Sequence, residues 1–464
     1  MRRGRSAGFG AALAALLLLV GAGALQAELR AGAAKRPITP DLEGPAPVFL
    51  AGFGLNRRAT GIHDDLWARC LALEAGGGRL VICGVDSIGL FYEDVEKIRA
   101  AARSQLTGPA DLVVASSHNH EAPDTMGLWG PKLGVSGISE AYNAFVVERT
   151  AEAAAEAVGS LRPATIRLAR FHSPELDRFI HDNRPPVVHD SELVILSAAG
   201  RDGRPIATLV NWANHPEALG SKNTLVTADY PAHLYTRLEE LLGGVAVFVN
   251  GAVGGMQSPL GAKVIDPATG AEAPDGTFRK AELIGRRVAE LAAQALGPAR
   301  PVAIERVEYH EKLISIPVTN VRFLKAAEAG VFRGRKVMDP QAVTTTPVGW
   351  IRLSRGQRPV LEIALVPGEL YPELSVGGIE RYPGADFPEA PLEPPIKKLM
   401  RAPYRMLFGL ANDEIGYIIP KAEWDENEPW LQNSPRRWYG EVNSVGPEAA
   451  PRIVAALQEL LGKR

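Results

Sequence analysis

Two histidines follow a strand-like segment in the first third of the chain, at a spacing that could serve catalysis. His118 and His120 come just after Asp111–Ser116, and Pro123 and Asp124 follow them. Because side chains two apart point to one face of an extended chain, the two imidazoles are expected to leave the strand side by side. Open α/β sheets bind ligands beyond the carboxyl ends of their strands. The pair therefore predicts a metal site or acid–base chemistry, with two surface histidines in a polar loop as the alternative.

Four later segments have the same character, each an apolar run that stops at polar residues near proline or glycine. They contain the candidate residues His215, Ser258, Glu369 and Tyr417. Two histidines and a glutamate, with an open position for water, form a known catalytic zinc set. Zinc polarises a carbonyl group and lowers the pKa of its bound water to roughly 7. Spacing along the chain cannot by itself bring these residues together.

The elements that must position these residues alternate between strands and helices. Strands are predicted over 66–73, 79–85, 111–116, 164–169, 191–197, 206–212 and 246–250. Helices are predicted over 92–106, 138–161 with Ser139 as N-cap, 228–242 and 279–296. Shorter strands at 302–309, 351–353 and 360–366, a proline-rich loop over 381–403 and a helix over 448–461 complete the chain. The alternation predicts an α/β fold in one large domain, with a junction near residue 300 as the alternative.

The composition is that of an ordinary globular protein. Of 464 residues, 46% are hydrophobic and 22% are charged, which is close to average usage. A net charge of −2 gives no reason to expect nucleic acid as a partner. Cys70 and Cys83 are the two cysteines, so at most one disulfide is expected, and buried free thiols are the alternative.

The N-terminal segment, 1–27, is predicted to be a secretory signal. A basic region with three arginines precedes the apolar run at 11–20, and small residues up to Ala27 offer a cleavage site before Glu28. The protein is therefore expected to be exported, to the periplasm or the medium, as one domain over 28–464.

Several of these segments resemble, in the same order along the chain, the catalytic domain of neutral/alkaline, non-lysosomal ceramidases, which are zinc amidohydrolases. The resemblance runs from about residue 30 to residue 447. The motifs that carry it are Ser117-His118-Asn119-His120-Glu121-Ala122-Pro123, Asn211-Trp212, His215-Pro216, Val366-Pro367-Gly368-Glu369, Gly61-Ile62-His63-Asp64 and Asn183-Arg184-Pro185. The resemblance implies a large catalytic domain with a mixed β-sheet and flanking helices.

The resemblance also implies how a metal would be held. His118, His215, Glu369 and Tyr417 match the zinc ligands of the family, and His120 matches the histidine beside the metal that serves as acid or base. The sequence departs from the family after the tyrosine, where isoleucines and a proline stand in place of threonines.

Three further residues match positions close to the substrate. Ser258 matches an essential serine, acting either as nucleophile or as substrate-orienting group. The residues before it, Gly254 to Gln257, depart from the family's Gly-Asp-Val-like sequence. Arg184 and Tyr439 match residues that contact the substrate or the developing oxyanion. Because intermediates of amide hydrolysis are anionic, a guanidinium and a phenol near that oxygen would lower the barrier.

The expected activity is zinc-dependent hydrolysis of an N-acyl amide bond by activated water, with N-acylsphingosine (ceramide) as one candidate substrate. The expected partners are a small-molecule or lipid N-acyl substrate and, peripherally, a membrane surface. Family enzymes continue into an immunoglobulin-like C-terminal domain, which is not expected here because the chain ends soon after Tyr439.

Other functions remain open on the sequence. A non-sphingolipid N-acyl or ester substrate is one alternative, and an exported binding protein without catalysis is another. Asn119-His120-Glu121 also resembles part of a two-metal phosphoesterase site, but the early Asp-x-His and late Gly-His-x-His that such a site needs do not occur.

Overall fold

A computed structural model describes residues 28–332 and 342–462, together with the backbone of 337–338. The predicted signal segment, 1–27, lies outside the described residues. The strands are β1 (Arg30–Pro37), β2 (Gly61–Ile62), β3 (Trp67–Ala75), β4 (Gly78–Val85), β5 (Asp111–Ser116), β6 (Arg162–His172), β7 (Glu192–Gly200), β8 (Pro205–Trp212), β9 (Leu225–Val226), β10 (Val245–Asn250), β11 (Pro301–Val302), β12 (Arg306–Pro317), β13 (Val337–Met338), β14 (Val343–Arg355), β15 (Arg358–Leu365), β16 (Glu369–Leu370), β17 (Tyr404–Phe408) and β18 (Tyr417–Ile418). The helices are α1 (Tyr92–Gln105), α2 (Glu140–Gly159), α3 (Pro174–Asp177), α4 (Tyr230–Leu242), α5 (Phe278–Leu296), α6 (Val321–Glu328), α7 (Pro372–Val376), α8 (Ile396–Leu399), α9 (Tyr439–Val442) and α10 (Ala449–Gly462).

A nine-stranded mixed sheet forms the larger part of the fold, in the order β10-β8-β7-β6-β1-β3-β4-β5 with β11 beside β6. The pairs β10–β8 and β4–β5 are parallel, and the other neighbours along this path are antiparallel. A second sheet has the order β12-β14-β15-β17 with β13 beside β14. The mixed α/β architecture with flanking helices expected from the sequence is confirmed.

Alternation along the strands divides the apolar side chains between two layers. On β4, Leu80 and Ile82 point into a central core shared with the second sheet, where they join residues such as Ile363. The intervening Val81 and Cys83 point the other way, against α1 and α2. This is the two-residue period of a strand that is buried on both faces. Helices α4 and α5 cover the other half of the large sheet, and α10 covers the second sheet.

The large sheet bends so that its two ends approach each other. Only two residue pairs join β1 to β6, where the halves meet. Gly84 on β4 lies so close to β10 that an added Cβ would be 2.5 Å from the Phe248 carbonyl oxygen. The Asn250 side chain at the end of β10 donates to the carbonyl oxygens of Ser117 at 2.8 Å and Asn214 at 3.0 Å. The carboxyl ends of β5, β8 and β10 therefore lie together.

Most predicted elements are present, and the clearest difference concerns β14. The sequence predicts only residues 351–353 as strand, but β14 begins at Val343. Pro347 weakens the strand pattern because proline has no amide hydrogen to donate. It is tolerated because β15 begins to pair with β14 only at Gly349, so that among the described residues Pro347 is paired on one edge, with Leu313 of β12. At α2, Ser139 is the N-cap as predicted and accepts from the Tyr142 amide at 3.3 Å.

Candidate metal centre

His118 and His120 lie in the turn that follows β5, with their ring centroids 4.9 Å apart. The chain is not extended there, because His118 has a left-handed backbone with φ of 66°. That conformation is uncommon for a residue with a Cβ and concentrates at functional sites. The two side chains therefore meet as expected, but through a turn and not through strand alternation.

His118 and His215 each have one ring nitrogen held by a backbone carbonyl. His118 Nδ1 lies 2.6 Å from the Ile88 oxygen, and His215 Nδ1 lies 2.6 Å from the Gln257 oxygen. Since a carbonyl oxygen can only accept, both Nδ1 atoms carry a proton, and in the neutral rings both Nε2 atoms keep a lone pair. Contacts of this kind orient histidines that bind metals.

Glu369 faces these two Nε2 atoms. Its Oε2 atom lies 3.3 Å from His118 Nε2 and 3.1 Å from His215 Nε2. Burial raises the pKa of the Glu369 carboxyl, but the two imidazoles outweigh it and lower the pKa to about 2. That low pKa reflects positive charge on the imidazoles when they are protonated. When a metal ion takes the place of these protons, all three groups offer it electron pairs that converge on one point. The residues present thus fit a metal ion.

A third imidazole lies beside this point. Nitrogen atoms of His118, His120 and His215 all lie within 4.8 Å of one another, and all three residues are buried. In the described parts of the chain no other group of histidine, cysteine or acidic side chains is arranged in this way. The cluster could hold a metal ion, but imidazole binds zinc, copper, iron and nickel alike, so the donor set does not identify the metal.

The predicted fourth ligand, Tyr417, is adjacent to Glu369. The two residues are paired across β16 and β18, and Tyr417 is buried. Burial first, and then the neighbouring Glu369 carboxylate, raise the pKa of the Tyr417 phenol well above its usual value. The half-exposed Tyr439 lies beside Tyr417, and their ring centroids are 6.0 Å apart. The roles of both tyrosines stay predictions.

His120 is held on several sides. Its ring lies against Gly52, where an added Cβ would be 2.3 Å from His120 Cγ, and the edge of Phe53 packs on it with centroids 5.0 Å apart. The Arg57 guanidinium donates to the His120 carbonyl. On the remaining side, Glu217 Oε2 lies 3.1 Å from His120 Nδ1. Burial, followed by the nearby histidines, lowers the pKa of His120 well below its usual value.

Ser258 directly follows Gln257, whose carbonyl oxygen holds His215. Its backbone is fixed to His181 by two hydrogen bonds, of 2.7 and 3.0 Å. Its hydroxyl accepts from the Leu260 amide at 3.0 Å. The buried Ser258 therefore lies one residue away from a direct contact of the cluster.

Arg184 is placed one layer behind the cluster. Its Nη2 donates to Glu441 Oε1 and to the Glu423 carbonyl, each at 2.7 Å. The guanidinium also stacks over the ring of Tyr371, 4.9 Å from its centroid. Tyr371 in turn contacts Tyr417, with centroids 6.1 Å apart. A direct contact between Arg184 and a substrate stays a prediction, because the side chain is buried and already paired.

An apolar cleft opens to solvent beside the cluster. The cluster residues His118, His120, Glu369 and Tyr417 form one part of its wall. The rest is mainly apolar, and includes Ile88, Phe91, Met126, Leu128, Trp129, Val318, Phe323, Phe332, Ile415 and Val445. A concave apolar surface with a few convergent polar groups is the usual form of a small-molecule site.

Four residues that contact His120 were not singled out from the sequence, namely Gly52, Phe53, Arg57 and Glu217. Glu217 stands two residues after His215, the same interval that separates His118 from His120, and this repetition was the available signal. Gly52 carried no signal, because a glycine in a loop is common and only the folded structure shows the ring against it.

Two solved ceramidases have a similar structure. One is a neutral ceramidase from Pseudomonas aeruginosa, which matches with a TM-score of 0.68 and 18% sequence identity over 94% of this chain and 73% of that one. The other is a ceramidase complexed with C2, with a TM-score of 0.67 and 17% identity over 94% of this chain and 74% of that one. No protein-family model and no curated protein matches the sequence. In the described residues, none of the helices has the length and apolar character needed to span a bilayer. The fold of the chain, a mixed α/β domain, is thus that of neutral ceramidase.

Proposed function

We propose that the protein is a zinc-dependent amidohydrolase that cleaves the amide bond of an N-acyl substrate. The observation that supports this most is the convergence of His118, His215 and Glu369 on one point at the head of an apolar cleft. Tyr417 would complete the ligand set. Zinc held there would supply Lewis acidity toward the scissile carbonyl and activate water.

The other residues of the site suit the remaining tasks of amide hydrolysis. His120 lies beside the ligands and is largely uncharged, so it can take a proton from the attacking water and pass it to the leaving amine. The phenol of Tyr439 projects from the wall of the cleft, where it can donate to the developing oxyanion. Ser258 orients the polar part of the substrate. An acyl chain would occupy the apolar wall of the cleft, where its burial is favourable.

A lipid N-acyl substrate is the class that the cleft favours. The segments that form the cleft also carry exposed apolar side chains, Leu133 in the loop after Trp129 and Val321 at the start of α6. These could contact the surface of a membrane or micelle that contains the substrate. A similar fold in a ceramidase complexed with C2 is consistent with ceramide as the substrate.

Export is a further part of the proposal. The segment 1–27 has the composition of a signal peptide, and Cys70 and Cys83 form a disulfide across β3 and β4. Disulfides form in oxidising compartments, so this bond is consistent with a protein that works outside the cytoplasm.

The function can be tested with protein purified without chelators. We expect about one zinc per chain and hydrolysis of N-acyl substrates that stops on chelation and returns with zinc. The panel should contain ceramides of several chain lengths in vesicles and micelles, N-acyl amino sugars, short amides and matched esters. If only the esters are hydrolysed, the protein is an esterase and the amidase proposal is wrong. If no substrate is hydrolysed and no metal is bound, a non-catalytic binding protein with this fold is the remaining alternative.

A further inference from the structure

The loops after β5 and β8 are joined to each other around the cluster. The His120 amide donates to the Pro216 carbonyl at 3.1 Å. The β8 loop directs His215 toward Glu369, and two residues later directs Glu217 toward His120. The loop that supplies a candidate ligand therefore also supplies a carboxylate to the neighbouring histidine.

Glu217 is the acidic group closest to His120. Its Oε2 atom lies 3.1 Å from His120 Nδ1, and both side chains are buried. The contact lacks the alignment of a full hydrogen bond, and within the described residues Nδ1 has no other acceptor. Catalytic hydrogen bonds are often loose before substrate binds and tighten in the complex.

The chemical consequence concerns the tautomer of His120. His118 and His215 are oriented by backbone carbonyls at Nδ1, and Glu217 occupies the equivalent place for His120. An acceptor there keeps the proton on Nδ1 and leaves the Nε2 lone pair free to accept a proton.

We propose that Glu217 is a positioning residue that holds His120 and fixes the tautomer in which His120 can act as a base. The kinetic consequence rests on the proposed hydrolase function, whereas the tautomer does not.

The test replaces the acceptor while keeping the volume, with Glu217→Met, in zinc-loaded protein. Imidazole ¹⁵N NMR, practical with nine histidines in the chain, should show a single Nδ1-protonated tautomer of His120 in the wild type and a second tautomer in the variant. Zinc content should not change. Because loss of an orienting partner typically costs 10–100-fold, kcat should fall by about that factor, with KM little changed. Glu217→Asp, which keeps the charge, should recover part of the loss.

A matched control is Glu373→Met in α7. Glu373 is as buried as Glu217, and in the described residues its carboxylate has no hydrogen bond or ion pair with His120 or Ser258. This variant should leave the His120 signals and kcat unchanged.

An unchanged His120 tautomer in folded Glu217→Met protein would overturn the proposal. A second tautomer in protein that hydrolyses no substrate would instead keep the positioning role and refute the hydrolase function. Equal kinetic losses in Glu217→Met and Glu373→Met would show a general effect of removing a buried acid, and would also overturn the proposal.

Discussion

At the scale of residues, the candidate metal centre depends on a few atoms with fixed orientation. His118 and His215 donate their Nδ1 protons to the Ile88 and Gln257 carbonyls. The Nε2 lone pairs of the two neutral rings then lie opposite the Glu369 carboxylate. Removal of any one of these donors should cost most of the affinity, because each supplies one of the four ligands proposed for tetrahedral zinc.

We therefore expect His215→Ala and Glu369→Gln to lose both bound zinc and hydrolysis. The first removes a nitrogen donor, and the second keeps the shape of the side chain but removes its charge. Metal analysis and an N-acyl hydrolysis assay measure the two effects. His172→Ala, an exposed histidine at the end of β6, is the control and should keep both. Full zinc and activity in either site variant would refute the ligand assignment.

At the scale of elements, loops hold the candidate site residues and strands fix the loops. Asn250 at the end of β10 connects the ends of β5 and β8 by hydrogen bonds to Ser117 and Asn214. The loop at Gly52 packs against the ring of His120. A small change in this loop should therefore displace His120 without touching the candidate metal ligands.

Gly52→Ala tests this support. Gly52 has φ of 90°, and its new Cβ would lie 2.3 Å from His120 Cγ, so the imidazole must move. A misplacement of about 1 Å can cost about 100-fold in rate, and we expect a loss of that order in kcat with zinc content retained. Gly54→Ala is the matched control, since a Cβ there meets no atom within 4 Å, and it should behave as wild type. Equal activity of the two variants would show that Gly52 does not support the base.

At the scale of the whole molecule, three β-surfaces share one central core. The two halves of the large sheet and the second sheet all contribute to it. The disulfide lies in the large sheet and joins directly opposed residues of β3 and β4. The cleft opens beside the cluster, between segments that are far apart in sequence.

Export should be visible in the mature protein. When the full chain is produced with its own N-terminus in a secreting host, we expect the exported form to begin at Glu28 and to carry no free thiols. Intact-mass analysis with and without thiol alkylation measures both. A chain shortened to 28–464 is the control and should stay in the cytoplasm. An intact mass that includes 1–27, with the protein retained inside the cell, would refute the signal assignment.

The sequence by itself determined the α/β class and most of the strands and helices, and it suggested candidate site residues. These features are local: alternation marks strands such as β5, helical spacing marks α5, and polar residues after apolar runs mark strand ends. The capping of α2 by Ser139 was readable for the same reason.

Only the tertiary structure decided how these residues meet. The bend of the large sheet brings the ends of β5 and β10 together, although the two strands lie at opposite ends of its strand order. No local pattern specifies such a bend, because it depends on packing between halves that are far apart in the chain. The same packing places Glu217 against His120 and Arg184 behind Tyr371. Residue type and spacing thus indicated which groups could do chemistry, and long-range packing decided which of them contact one another.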